Sequence, residues 1–156
     1  MASSGKIFEQ DFQSSCINDS VDHNRLKDPV GGHSGVRNIC DFILYSKPNI
    51  FYMELKSRQG NTLALAEISP TQWDGLQLKR EVPGAIPGVV VHYSDHNEVY
   101  FVHARQLDEL KQSGAKSVNV KYAREHCISL QGTVKRVHYT YHINKFLEEV
   151  AEFYGG

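Results

Sequence analysis

The sequence predicts an α/β domain with a mixed central β-sheet that helices cover on both faces. Apolar residues repeat at helical spacing near both ends of the chain. Between these regions lie short apolar segments of strand length, and turn-forming residues separate them. The predicted order is helix, hairpin, helix, strand, strand, helix, which is typical of such a layered fold. With 156 residues, 40% of them hydrophobic, the chain suits one domain over 1–156.

The first half predicts a helix, a loop and a hairpin. Apolar residues at helical spacing predict a helix over Lys6–Ile17. The polar, glycine-rich segment 18–37 predicts a mobile loop. Asn38–Tyr45 and Ile50–Lys56 are apolar segments on either side of a turn cluster, and they predict a β-hairpin.

The second half predicts three helices and two strands. Ser69 followed by Pro70 is typical of a helix start, and Gly84 to Gly88 is predicted to break that helix. The predicted elements are the helix from Pro70 toward Arg80, strands Val89–Tyr93 and Glu98–His103, and helices Ala104–Gln112 and Tyr141–Phe153. The region Ser117–Arg136 stays ambiguous, with two short strands or extended segments as the interpretation.

Composition gives weaker indications. The 17 basic and 18 acidic residues leave a net charge of -1, so the overall balance does not indicate a polyanionic partner. The three cysteines form no CxxC pair and are odd in number, which favours a reducing, cytoplasmic compartment. No apolar run approaches the roughly 20 residues of a membrane span, so we expect no membrane association.

The predicted hairpin carries three ionisable residues among apolar ones, Asp41, Glu54 and Lys56. Because side chains alternate along a strand, Glu54 and Lys56 project from one face while Leu55 points to the other. If Asp41 pairs near Glu54, the two carboxylates can share one divalent cation, with the Leu55 carbonyl oxygen and waters completing its shell. Lys56 could then orient or deprotonate a water, or neutralise charge on a phosphate during phosphodiester hydrolysis. A salt-bridged cluster without metal is the alternative.

Asp41 and the following Glu54-Leu55-Lys56 resemble the site of the PD-(D/E)xK nuclease superfamily, in which an Asp on one strand precedes (D/E)xK on the next. More segments, in the same order over nearly the whole chain, resemble the RecU-type Holliday junction resolvases. These segments are Gly5–Glu9, Ser34–Val36 before Cys40-Asp41-Phe42, Ser69–Gln72, Val99–Val102 and Ile128–Leu130 on to Tyr139. The resemblance implies a restriction-endonuclease-like fold.

The resemblance also implies a function: a homodimeric Mg²⁺-dependent endonuclease, with Mn²⁺ able to substitute, that introduces paired nicks in four-way DNA junctions. By the same match, Asp41 and Glu54 are expected metal ligands and Lys56 the catalytic lysine. Gln72 is expected to support the site from the following helix, and Glu9 to contribute from the first helix.

Four basic residues are the predicted phosphate contacts, namely Arg25, Lys27, Arg37 and Arg58. The segment between Cys16 and Asp41 is shorter than in typical RecU-type enzymes, where an insertion forms a stalk, and this favours a compact phage or mobile-element relative. Two alternatives remain open at this point: a PD-(D/E)xK nuclease of other specificity, such as a restriction or repair enzyme, and a DNA-binding module without catalysis.

Overall fold

The computed structural model describes residues 4–26, 38–135 and 138–155. Within these ranges the chain forms five α-helices and ten β-strands. The helices are α1 (Ser4–Asn18), α2 (Pro70–Lys79), α3 (Ala104–Gln112), α4 (Val120–His126) and α5 (Ile143–Tyr154). In the described part of the chain, no helix has both the length and the apolar character needed to cross a membrane.

Six strands form the central sheet, in the order β1-β2-β3-β5-β6-β8. The strands are β1 (Asp22–Arg25), β2 (Phe42–Ser46), β3 (Asn49–Arg58), β4 (Thr62–Ala64), β5 (Ala85–Tyr93), β6 (Glu98–His103), β7 (Ser117–Asn119), β8 (Ile128–Ser129), β9 (Gly132–Lys135) and β10 (His138–Tyr141). β3 and β5 pair in parallel, and the other neighbours in this sheet pair antiparallel. The predicted hairpin is present as β2 and β3, and the predicted mixed α/β fold is confirmed.

An apolar cluster lies on each face of the sheet because side chains alternate along its strands. On one face, α1 and α5 cover the residues Phe42, Phe51, Met53, Leu55, Val90 and Phe101. On the other face, α2, α3 and α4 cover the residues Val89, Val91, Tyr93, Tyr100 and Val102. Leu55 therefore points toward α1, and the residues on either side of it, Glu54 and Lys56, project toward the α2 face.

The structure corrects the predicted loop over 18–37. Asp22–Arg25 form β1, which pairs antiparallel with β2 at the edge of the sheet. None of the four residues of β1 is fully buried, so this edge strand carries no apolar alternation that the sequence could display. The helix before it extends to Asn18, and residues 27–37 lie outside the described residues.

The segment Gly84 to Gly88, predicted to break the helix, lies after the helix end, and β5 begins within it at Ala85. Gly88 lies inside this strand, where a Cβ atom would approach both the Phe101 ring and the Val102 carbonyl oxygen to 2.5 Å. A close approach of two strands, rather than a turn, therefore explains this glycine. The helix before it ends earlier, at Lys79.

The ambiguous region Ser117–Arg136 contains a helix that the sequence did not reveal. α4 is only seven residues long, and the Asn119 side chain caps it by accepting a hydrogen bond from the Lys121 amide. Strands β7, β8 and β9 account for most of the remaining described residues there. At the C-terminus, Tyr141 belongs to β10, and the last helix begins at Ile143 instead.

Candidate active site

Asp41 lies immediately before β2, not inside it as predicted, and is tied to strands on both sides. Its Oδ2 accepts a hydrogen bond from the Leu55 amide of β3 at 2.9 Å. Its carbonyl oxygen accepts one from the Leu26 amide, just after β1, at 2.7 Å. The Asp41 carboxylate thus takes the place of a backbone carbonyl as the acceptor for a β3 amide, just beyond the last β2–β3 pair, Phe42 and Met53. This hydrogen bond orients the carboxylate toward the residues that follow Met53.

Helix α2 packs closely against the segment before Asp41. A Cβ atom at Gly75 would lie 2.2 Å from Ile39 Cγ2, so only glycine permits this approach. The contact brings the N-terminal half of α2 beside the hairpin. It explains how Gln72, distant in sequence, reaches β3.

Glu54 is a buried carboxylate with unequal oxygens. Only 3% of the Glu54 surface is exposed. Oε2 accepts a hydrogen bond from Gln72 Nε2 at 2.9 Å and lies 3.2 Å from Lys56 Nζ. Oε1 is buried and has no hydrogen-bond partner among the residues that the structure describes. Burial, and then the charge of Asp41, raise the pKa of Glu54 to about 8, against the opposing charge of Lys56.

Gln72 is fixed at both ends of its amide. The Ser69 hydroxyl accepts a hydrogen bond from the backbone N–H of Gln72. The backbone N–H of Ser69 donates in return to the side-chain oxygen Gln72 Oε1 at 3.2 Å, so the pair forms a capping box at the start of α2. With its oxygen engaged at the cap, the side chain directs its NH₂ group to Glu54. The helix start and the carboxylate are therefore positioned by one residue.

Glu9 reaches the same region from α1. The Arg25 guanidinium of β1 forms an ion pair with Glu9 Oε1. Burial raises the pKa of Glu9, the Arg25 charge lowers it, and the charge of Asp41 raises it again. The contribution of Asp41 indicates that the two carboxylates share one electrostatic environment.

The described residues contain no group of three or more His, Cys, Asp or Glu side chains that could hold a metal ion. Two carboxylates, Asp41 and Glu54, do meet beside Leu55, whose amide bonds Asp41. The unpartnered Oε1 of Glu54 and the raised pKa of its carboxyl group fit a cation at this position. The Leu55 carbonyl as a third protein ligand stays a prediction.

The structure describes two of the four predicted phosphate contacts, and both of these arginines pair with a glutamate. Arg25 pairs with Glu9, and Arg58 donates from Nε to Glu67 Oε2 at 2.7 Å. Lys27 and Arg37 lie outside the described residues. Glu67 was not identified from the sequence, since it belongs to no motif. It contacts Arg58 only because the chain between β3 and α2 folds back beside the end of β3.

A family model described as RecU, recombination protein U, matches residues 24–145, which is most of the chain and includes the site hairpin. The SPbeta prophage-derived protein YotM of Bacillus subtilis (strain 168) is 28% identical over 167 residues, covering 94% of this chain and 86% of YotM. The family resemblance drawn from the sequence is therefore confirmed.

A solved structure shares the fold. The Holliday junction resolvase Hjc of the archaeal hyperthermophile Archaeoglobus fulgidus superposes with a TM-score of 0.55 at 17% sequence identity. The match covers 78% of this chain and 93% of Hjc. At this identity the likeness concerns the fold alone, and it agrees with the mixed α/β fold predicted from the sequence.

Proposed function

The chain belongs to the recombination protein U family, and from that premise we propose that it is a Mg²⁺-dependent endonuclease that resolves four-way DNA junctions by paired nicks. Hjc, whose fold it shares, is itself a Holliday junction resolvase. The proposed nuclease domain is 1–156, and Mn²⁺ is expected to substitute for Mg²⁺.

One observation carries the proposal: the buried Oε1 of Glu54 has no hydrogen-bond partner among the described residues, beside a second carboxylate, Asp41. A buried carboxylate oxygen without a partner is costly, and two neighbouring carboxylates repel each other. A cation bound between them would remove both costs. A salt bridge with Lys56 alone does not, because Lys56 Nζ contacts the other oxygen, Oε2.

The residues that would hold the metal are Asp41, Glu54 and the Leu55 carbonyl. With so few protein ligands, the ion would keep several waters, as Mg²⁺ usually does in proteins. When bound, a divalent ion lowers the pKa of a coordinated water and neutralises charge that develops on a phosphate.

The other site residues would act through their own contacts. Lys56, held at 3.2 Å from Glu54, would orient a water or neutralise charge on the scissile phosphate. Gln72 would keep the Glu54 carboxylate in one orientation through its 2.9 Å hydrogen bond. Glu9 would contribute a further negative charge near Asp41, modulated by Arg25.

The proposed active form is a homodimer, because a two-fold protein presents two sites to a junction of matching symmetry. Arg25, Lys27, Arg37 and Arg58 are the proposed phosphate contacts. We place the reaction in the cytoplasm, since all three cysteines are free thiols, as a reducing compartment keeps them.

The test is cleavage of labelled four-way junction, linear duplex and flap DNA with Mg²⁺, with Mn²⁺ and with EDTA. We expect metal-dependent, symmetric nicks in the junction alone. Cleavage of every substrate would indicate a nuclease of other specificity. Binding without metal-dependent cleavage in any condition would reject the enzymatic proposal in favour of a non-catalytic DNA-binding module.

A further inference from the structure

Glu67 places a carboxylate against one cation of β3, Arg58, and within the electrostatic influence of a second, Lys56. It ends the short 3₁₀ helix Leu65–Glu67, on the crossover between β3 and α2. Its Oε2 accepts the 2.7 Å hydrogen bond from Arg58 Nε. That hydrogen bond lowers the pKa of Glu67, and the charge of Lys56 lowers it further. Glu67 is therefore ionised at neutral pH and lies within the electrostatic range of both cations.

The spacing of the two cations suits a DNA strand. Lys56 and Arg58 are two residues apart on β3, so they project from the same face about 6.6 Å apart along the strand. This separation is comparable with that of neighbouring phosphates in one DNA strand. If Lys56 lies at the scissile phosphate, a strand that follows β3 brings an adjacent phosphate to Arg58. The Glu67 carboxylate already accepts from the Arg58 guanidinium, so the two anions would compete for the same donor.

The ion pair between Arg58 and Glu67 is weak enough for another anion to replace the Glu67 carboxylate. The two side chains are 38% and 36% exposed, and ion pairs at this exposure contribute little to stability. Arg58 Nη1 also donates to the Ser57 carbonyl oxygen at 2.8 Å, which holds the guanidinium beside β3 independently of Glu67. A phosphate can therefore replace the carboxylate while Arg58 stays in place.

We propose that Arg58 binds the phosphate next to the scissile one and that Glu67 masks this site until DNA displaces its carboxylate. The inference rests on the proposed function, because it takes Lys56 as the neighbour of the scissile phosphate. Masking removes one positive charge from the free protein beside the site. The effect is a lower affinity for DNA in general, so that stable binding depends on contacts elsewhere.

The experiment measures binding of wild type and Glu67→Gln to four-way junction and linear duplex DNA in EDTA, over a series of salt concentrations. We expect the variant to bind both DNAs roughly three- to tenfold more tightly at low salt, with a salt slope steeper by about 0.9, the value for one additional phosphate contact. Glu109→Gln is the matched control. It removes an equal charge from an exposed pair with Arg105 on α3, 3.8 Å apart, and we expect little change.

An Arg58→Gln background isolates the pair. There, adding Glu67→Gln should give no gain, because the unmasked guanidinium is absent. Unchanged or weaker binding by Glu67→Gln, or an equal gain in the Arg58→Gln background or in Glu109→Gln, would overturn the masking. If wild type nicks junctions but Glu67→Gln binds no better, this inference fails and the proposed function stands. If neither protein binds either DNA, both fail.

Discussion

Two glutamates approach the candidate active site from opposite sides, and their surroundings differ. Glu54 lies on β3, and its Oε2 accepts a hydrogen bond from the Gln72 side-chain amide and contacts Lys56 Nζ. Its other oxygen, Oε1, has no hydrogen-bond partner among the described residues. Glu9, on α1, also has a buried oxygen without a hydrogen-bond partner among the described residues, Oε1, but this oxygen forms an ion pair with the guanidinium of Arg25. Burial raises the pKa of both carboxyl groups.

The difference indicates where a cation is needed. At Glu9 the buried oxygen that lacks a hydrogen bond, Oε1, is the one that Arg25 pairs with, so the chain supplies its own positive charge there. At Glu54 it leaves a buried oxygen uncompensated beside Asp41, so an external cation gains most there. This difference supports the proposed metal position on the β3 side and a proposed modulating role on the α1 side.

The largest effect is expected at the β3 side. Asp41→Asn and Lys56→Ala should each lower the rate of junction cleavage by roughly 10²–10⁴-fold, because each would remove a charge that we propose to act at the reacting phosphate. DNA binding should change little. Single-turnover cleavage and binding in EDTA separate the two quantities. The exposed residues Asp22 and Lys121 supply the controls Asp22→Asn and Lys121→Ala, and an equal loss of binding would indicate a structural role instead.

An intermediate effect should rank the two sides. Gln72→Ala should slow cleavage roughly 10–100-fold, the usual effect of removing a group that orients a metal ligand. Glu9→Gln should slow it less than about tenfold, since the Glu9 charge is already matched by Arg25. The measurement is the single-turnover rate at saturating Mg²⁺.

Ser69→Ala controls for the helix cap. It removes the side-chain acceptor of the capping box and costs about 1 kcal/mol of stability, yet it leaves the Gln72 amide opposite Glu54. Its cleavage rate should stay close to that of wild type. If Glu9→Gln proves slower than Gln72→Ala, the assignment of the metal to the β3 side is wrong.

The smallest effect concerns stability without metal. Because the pKa of Glu54 rises from 4.5 to about 8 on folding, the folded state retains a proton that the unfolded state has lost in this range. The free energy of unfolding therefore falls as pH rises from 4.5 to 8, and the loss is complete above 8. Glu54→Gln should raise Tm in EDTA at pH 8.5 by at least about 3 °C.

Magnesium supplies the contrast for that measurement. It should raise the Tm of wild type, because it binds the folded state, and leave that of Glu54→Gln nearly unchanged. The matched control is Glu109→Gln, at an exposed residue that burial does not affect. An equal Tm for wild type and Glu54→Gln across this pH range would mean that the buried carboxylate carries no cost.

Local pattern predicted the elements that are long or clearly punctuated. The helix from Pro70, the strand Glu98–His103 and the helix Ala104–Gln112 appear as expected, since caps, alternation and periodicity are properties of neighbouring residues. β1 and α4 were missed. The first is a polar edge strand that pairs with β2, and the second is a helix of only seven residues, two of them buried.

The site divides in the same way. Strand alternation put Glu54 and Lys56 on one face, and the order of segments indicated Asp41, Gln72 and Glu9 as partners. The sequence by itself thus determined the residue types, the shared face and the family. Local information was sufficient for these, because the period of a strand is fixed by its backbone geometry.

Only the tertiary structure decided how the charges are matched. It assigned Gln72 to Glu54, Arg25 to Glu9 and Arg58 to Glu67. Each of these pairs joins different elements, and the strength of a charge pair depends on separation and burial. These quantities exist only after the sheet and its helices have packed.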